Sequence, residues 1–315
     1  MMLTNLNKKK IASLLAEDKR LDGRKPFDYR DVIIETNVSN NAEGSARVKI
    51  GKTDVIVGIK LGTQEPYTDH ADEGTMMTGM EYSPASGGRY ESGPPKINAI
   101  ETARVIDRGI RESGFIDWKK LCIVEGERVW SIFIDIYSIN DDGNMLDAGA
   151  IGAVAALKMT KLPVLNEDNK IKYGEFTDEG LPLTEITPFT MTFYKIGDKL
   201  LIDPTRDEQD AADSRLTLGI AKVGKEYIIS SAQKGEITPL SGDDLKTIIA
   251  EAEKVYDKVY PGLDKQTKAL MKWALLRQKS SGKKYLFWEK VNQKQKQKLF
   301  NTKFHYNFKI KWQIH

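Results

Sequence analysis

VWSIFIDIYSINDDGNMLDAGAIGAVAALK, residues 129–158, carries two hydrophobic periods in one run. From Val129 to Ile139 the chain alternates around Trp130, Ile132, Ile134 and Ile136, the period of two expected of a strand. Asn140-Asp141-Asp142-Gly143 then supplies turn residues, and a helix is predicted from about Leu146 to Lys158. That helix is full of Ala and Gly, and such small side chains let a helix lie close against a sheet.

Working outward, strands are predicted at Val32–Thr36, Ser45–Ile50 and Asp54–Leu61, the last two joined by the hairpin-sized link Gly51-Lys52-Thr53. A short amphipathic helix is expected over residues 8–18, and a second helix from Ile97 to Glu112. Between them, Gly62 to Pro95 is dense in glycine and proline. It is expected to lack regular structure and to act as a functional or mobile loop. Beyond Pro163, strands are predicted at Phe189–Ile196, Lys199–Ile202, Leu216–Val223 and Glu226–Ala232. A long helix from Gly242 to about Arg277, bent near Pro261, closes the body. Paired strands with segregated helices indicate an α+β fold with antiparallel or mixed sheets. The expected organisation is a body over residues 1–276, with sub-domains at about 30–165 and 190–258 and the closing helix to 276. A basic, aromatic extension follows over 277–315.

The chain has 315 residues, of which 40% are hydrophobic and 30% charged, an ordinary globular balance. No apolar run approaches the ~20 residues that span a bilayer, and the amino terminus lacks a convincing cleavage site, so no membrane association and a cytoplasmic location are expected. Cys122 stands alone and reads as a small buried hydrophobe. Charge is uneven: residues 277–315 hold eleven Lys or Arg against one acid, Glu289, while the rest carries 37 bases against 44 acids. In that extension Tyr285, Phe287, Trp288, Phe300, Phe304, Tyr306, Phe308 and Trp312 alternate with lysines, a composition suited to stacking on nucleic acid.

Several motifs fail. Gly219 to Lys225 has phosphate-loop spacing, but Glu226 stands where Ser or Thr belongs, and Tyr227-Ile228-Ile229 reads as a strand. A hairpin turn is expected there. His70, His305 and His315 have no metal-ligand spacing, so neither metal nor cofactor is expected. Three features survive. Arg104, Arg108 and Arg111 share one helix face, suited to phosphates or else solvated and paired with Glu101, Asp107 or Glu112. The turn Asp141-Asp142-Gly143-Asn144 precedes a helix whose amides could hold an anion. Asp203, Asp207, Glu208, Asp210 and Asp213 either hold a general acid or a cation, or are simply solvated.

Four widely spaced motifs carry a family resemblance. Arg20-Leu21-Asp22-Gly23-Arg24 with Tyr29-Arg30-Asp31 resembles the opening of RNase PH-like exosome subunits. Glu101 to Ser113 resembles a helix of the archaeal non-catalytic subunit. Asp142-Gly143-Asn144 with Asp147-Ala148, and Asp203-Pro204-Thr205 with Asp207-Glu208, resemble it too. The resemblance covers roughly residues 10–275. It implies an α+β fold of the ribosomal S5 domain 2-like type. It also implies a ring of three active and three inactive subunits, with RNA-binding cap subunits and single-stranded RNA as further partners. Active subunits of the family use inorganic phosphate to release nucleoside diphosphates from the RNA 3′ end.

Active subunits resemble Gly-Ser-Arg-Thr at the helix entrance. Here the matching residues are Gly143, Asn144, Met145 and Leu146, which lack the cation and a hydroxyl, while Asp141, Asp142 and Asp147 add negative charge. A divalent anion is disfavoured there even with helix-terminal amides. For the catalytic acid, Asp213 is the nearest candidate, and an ungapped alignment places Arg215 at that position instead. The expectation is a subunit with no catalytic residue of its own, structuring its partner's site and contacting RNA. Arg104, Arg108 and Arg111 are the first candidates for that contact, with Arg89 and Lys96 beside them. The alternative is an active phosphorolytic exoribonuclease using Asp213.

Overall fold

A computed structural model describes residues 4–279. The long alternating segment becomes β6 (Arg128–Asn140), the centre of a mixed sheet, and the small-residue helix becomes α3 (Met145–Met159). β6 pairs antiparallel with β3 (Thr53–Gln64), which continues to β2 (Gly44–Ile50) and β1 (Val32–Thr36). The short β5 (Cys122–Val124) folds back on the start of β6. Cys122 there is partly exposed rather than buried.

The glycine- and proline-rich stretch departs from expectation. Thr75–Glu81 is a strand, β4, running parallel to β6 at the sheet edge from Thr75 opposite Ser131 to Glu81 opposite Tyr137. A 3₁₀ turn, Pro84–Ser86, follows. Its backbone partners come from a segment more than fifty residues away in sequence, and an edge tolerates Gly79, so local composition hides the strand. β7 (Lys161–Leu165) and β8 (Ile171–Gly180) form a further two-stranded pair.

The second sheet has the order β10-β9-β11-β12, built from β9 (Phe189–Ile196), β10 (Lys199–Ile202), β11 (Ser214–Val223) and β12 (Glu226–Gly235). Val223 pairs with Glu226 around Gly224, whose φ is +62°, so the false phosphate loop is a hairpin turn. The short α4 (Arg206–Ala211) is nucleated by a capping box between Thr205 and Glu208.

α3 lies between the two sheets, and it is buried on nearly every side because it is apolar on every side. Its glycines set the spacing: a Cβ on Gly152 would sit 2.6 Å from Val57 Cγ2, and one on Gly149 2.9 Å from Ile106 Cδ1. α2 (Ile97–Arg111) packs beside it and reaches both sheets. α5 (Gly242–Lys279) adds Ile248, Ala252, Val255, Tyr256 and Leu263 to the same core. α1 (Asn5–Ala16) covers the outer side of the second sheet, placing Ile11 and Leu15 against Tyr194, Ile196 and Leu201. Residues 4–271 belong to one compact unit.

Candidate nucleic-acid interface

Most polar groups of the turn into α3 are bonded within the protein itself, and the buried Asn144 Oδ1 is left without a partner. Asn144 is left-handed (φ +61°) and completely buried; its amide group donates to Asp203 Oδ1 at 2.8 Å. The Gly143 N–H donates to Asp141 Oδ1 at 3.0 Å and the Asn144 N–H to Gln209 Oε1 at 3.0 Å, so both amides already have acceptors. The Gly143 carbonyl accepts from Thr53 Oγ1 at 2.6 Å and from Arg30. A Cβ on Gly143 would lie 2.6 Å from Pro204 O, so the turn rests directly on the segment before α4. Met145 and Leu146 point into the core, 3% and 5% exposed. Asp147 is wholly buried and accepts from Tyr29 Oη (2.6 Å), Thr192 Oγ1 (2.7 Å) and the Thr192 N–H (3.1 Å). Burial outweighs those donors and pushes its carboxyl up to about 6.

Four of the five acids after β10 are likewise committed to arginines or lysines, while Asp207 is exposed and has no hydrogen bond or ion pair among the described residues. Asp203 (φ +45°) takes Arg30 at 2.7 Å and Arg24 at 2.9 Å. Burial opposes its charge, but the Arg30 hydrogen bonds and the two guanidinium charges hold it below the ordinary carboxylate range. Glu208 forms a buried two-point pair with Arg20. Asp210 binds Arg89 and Arg206, both at 2.7 Å. Asp141 takes Arg206 Nη1 at 2.9 Å and the Tyr90 hydroxyl. Asp213 lies apart, accepting from Lys8 at 3.0 Å and the Gly197 N–H at 2.8 Å. Among the described residues, no group of His, Cys, Asp and Glu could hold a metal ion.

The five candidate cations separate in the same way. Arg89 is tied to Asp210, and Lys96 to Glu91 at 3.0 Å. Arg111 donates to Asp107 at 2.9 Å and to the Met76 carbonyl at 2.7 Å, and lies 5.7 Å from the Trp118 ring centre. Arg108 is exposed, with one long bond of 3.4 Å to Gln233 Oε1. Arg104 is exposed and has no hydrogen bond or ion pair among the described residues. Sequence spacing alone could not single out Gln233 or the ion pair of Glu101 with Arg215, because both join α2 to the distant second sheet.

The sequence profile of the 3′ exoribonuclease family matches with its domain 1 over residues 28–163 and with its domain 2 over residues 187–255. The exosome complex component Rrp42 of Methanocella arvoryzae is 42% identical over 253 residues, covering 80% of this chain and 94% of that protein. The chain belongs to the Rrp42 family of exosome complex components. The Rrp42 of Thermococcus kodakarensis is 43% identical over 263 residues, covering 82% of this chain and 96% of its own. Among solved structures, an Archaeoglobus fulgidus exosome with RNA bound to the active site contains a chain similar at TM-score 0.73 and 39% identity. It covers 81% of this chain and 98% of that one. Rice Rrp46, at 14% identity and TM-score 0.60, shares the fold. The basic aromatic extension, apart from its first residues, lies outside the described residues.

Proposed function

We propose that this Rrp42-family chain is a non-catalytic subunit of an RNA-degrading exosome ring, alternating three and three with an active RNase PH-like subunit. In this reading it acts in the cytoplasm, beneath RNA-binding cap subunits, and needs no metal or cofactor of its own. The observation that carries the reading is the turn into α3. Met145 and Leu146 are core side chains, and the entrance amides of Gly143 and Asn144 are already bonded. The side chains of Met145 and Leu146 offer a phosphate nucleophile neither a guanidinium nor a hydroxyl, and the cations beside the turn, Arg30 and Arg206, are already paired with Asp142, Asp203, Asp141 and Asp210. Asp213, the acid that an active enzyme would need, is held by Lys8 and the Gly197 amide.

What the chain offers instead is the α2 face. Two of the nominated arginines, Arg104 and Arg108, are exposed and essentially unneutralised, which suits them to RNA phosphates passing along a subunit boundary. Arg89, Arg111 and Lys96 would first have to leave their own carboxylates. The test measures phosphate-dependent degradation of single-stranded RNA by this chain, by its active partner, and by the assembled mixture. The expected result is no release of nucleoside diphosphates by this chain alone and a gain on assembly. Release by this chain alone would overturn the reading.

A further inference from the structure

α2 carries an acid on the same side as its free arginines. Glu101 precedes Arg104 by three residues, and in a helix that separation brings the two side chains together, with Glu N-terminal to the cation in the favourable order. Left alone, Glu101 would be placed to pair with Arg104 and offset part of its charge. Instead its carboxylate is held by Arg215 of β11. The second sheet is built to deliver that guanidinium. Arg215 pairs in register with Gly235 of β12, and a Cβ on Gly235 would lie 2.5 Å from Arg215 Nη2. The glycine therefore leaves the space in which the guanidinium crosses the strand. A close approach of α2 to β11 brings the partners within reach: a Cβ on Gly219 would lie 3.4 Å from the Gly109 Cα.

The pair is poorly explained by stability. The Arg215 side chain is 12% exposed, and its buried Nε has no partner. An apolar side chain in the same place would avoid the cost of an orphaned donor. We propose that Arg215 is a positioning residue for RNA binding: by sequestering Glu101 it keeps Arg104 free and the α2 face positively charged. This rests on the reading of Arg104 as an RNA contact.

The experiment uses the ring assembled with the active partner, without phosphate, and a fluorescein-labelled oligoadenylate, with Kd measured across a salt series. Arg104→Ala is expected to weaken binding and to make log Kd against log salt shallower by about 0.7, the value for one phosphate contact on a single strand. Arg215→Met is expected to reproduce both changes, and adding Glu101→Gln to Arg215→Met to reverse them. Reversal marks capture of Arg104 by a freed carboxylate, which loss of structure would not produce. If Arg104→Ala weakens binding while Arg215→Met does not, or if the double variant fails to recover, the positioning role is overturned and the reading of Arg104 stands. If Arg104→Ala changes nothing, both fall. Should Arg215→Met fail to assemble, Glu101→Gln alone decides. Binding within about twofold of the unmodified ring supports the proposal, and clearly tighter binding shows that Glu101 was not sequestered.

Discussion

Met145 and Leu146 stand at the α3 entrance, and their burial means that changing the residue type cannot recreate a phosphate site. Met145→Arg with Leu146→Thr would place a cation among apolar neighbours, because the nearby carboxylates Asp203 and Asp147 already have their donors. The double variant is expected to lose about 3 kcal/mol or more of stability, the scale of an uncompensated buried charge. It should still release no nucleoside diphosphate; a thermal melt and a phosphorolysis assay check the two halves. Asp147 makes a second prediction at this scale. Its folded-state value of about 6 lies above the ordinary aspartate value of 3.8, so between those values the folded chain binds more protons than the unfolded one. Stability contributed by the neutral form is therefore present below pH 3.8 and is lost as pH rises towards 6, by up to about 3 kcal/mol. Asp203 and Asp210 act oppositely, losing their contribution only as pH falls below 3.8. Asp147→Asn should flatten the pH 4–6 limb in denaturant titrations, and an unchanged slope would show that another group is responsible.

Among the elements, α3 shows how spacing follows from side-chain size. Exchanging a helix-interior glycine for alanine ordinarily stabilises by up to about 1 kcal/mol. At Gly152 the new methyl would meet Val57 Cγ2 at 2.6 Å, so Gly152→Ala is expected to destabilise by about 1–3 kcal/mol through overpacking. Gly262 in α5 has nothing within 4 Å of the same added atom, and Gly262→Ala should shift the melting temperature upward instead. Opposite signs at two helical glycines are the test; equal signs would mean that α3 is free to move off the sheet. α3 was legible in the sequence because its apolar character is local. β4 was not, since its hydrogen bonds are supplied by β6 and its own Thr, Met and Gly pattern is weak.

Over the whole molecule, the opening motif ties residues 20–30 to the segment around the start of α4. Arg20, Arg24 and Arg30 reach Glu208 and Asp203, residues some 173–188 positions away, and Arg20 and Glu208 are essentially without exposure. Arg20→Met would leave the Glu208 carboxylate buried without its cation, and a loss of about 3–5 kcal/mol is expected. Restoring most of it with Glu208→Gln would show that the penalty belongs to the stranded charge; no recovery would assign it to packing.

The periodicities of β6, α3, β9 and β11 are properties of neighbouring residues, so the α+β fold could be read from the chain itself, whereas α4 lay within what read only as an acidic segment. The long motifs at 20–31, 101–113, 142–148 and 203–208 carried the family by resemblance. The chemical state of each candidate residue could not be read this way. Arg104, Arg108 and Arg111 are equivalent by spacing, yet Asp107 and Met76 occupy the last while the first stays free. The acids from Asp203 to Asp213 look alike in sequence, yet Asp203, Glu208, Asp210 and Asp213 take Arg24, Arg30, Arg20, Arg89, Arg206 and Lys8 among them, and Asp207 stays exposed. Which charge meets which is set by contacts between segments remote along the chain, and only the tertiary structure decides it, because Coulombic pairing depends on distance in space and on burial rather than on order in the sequence.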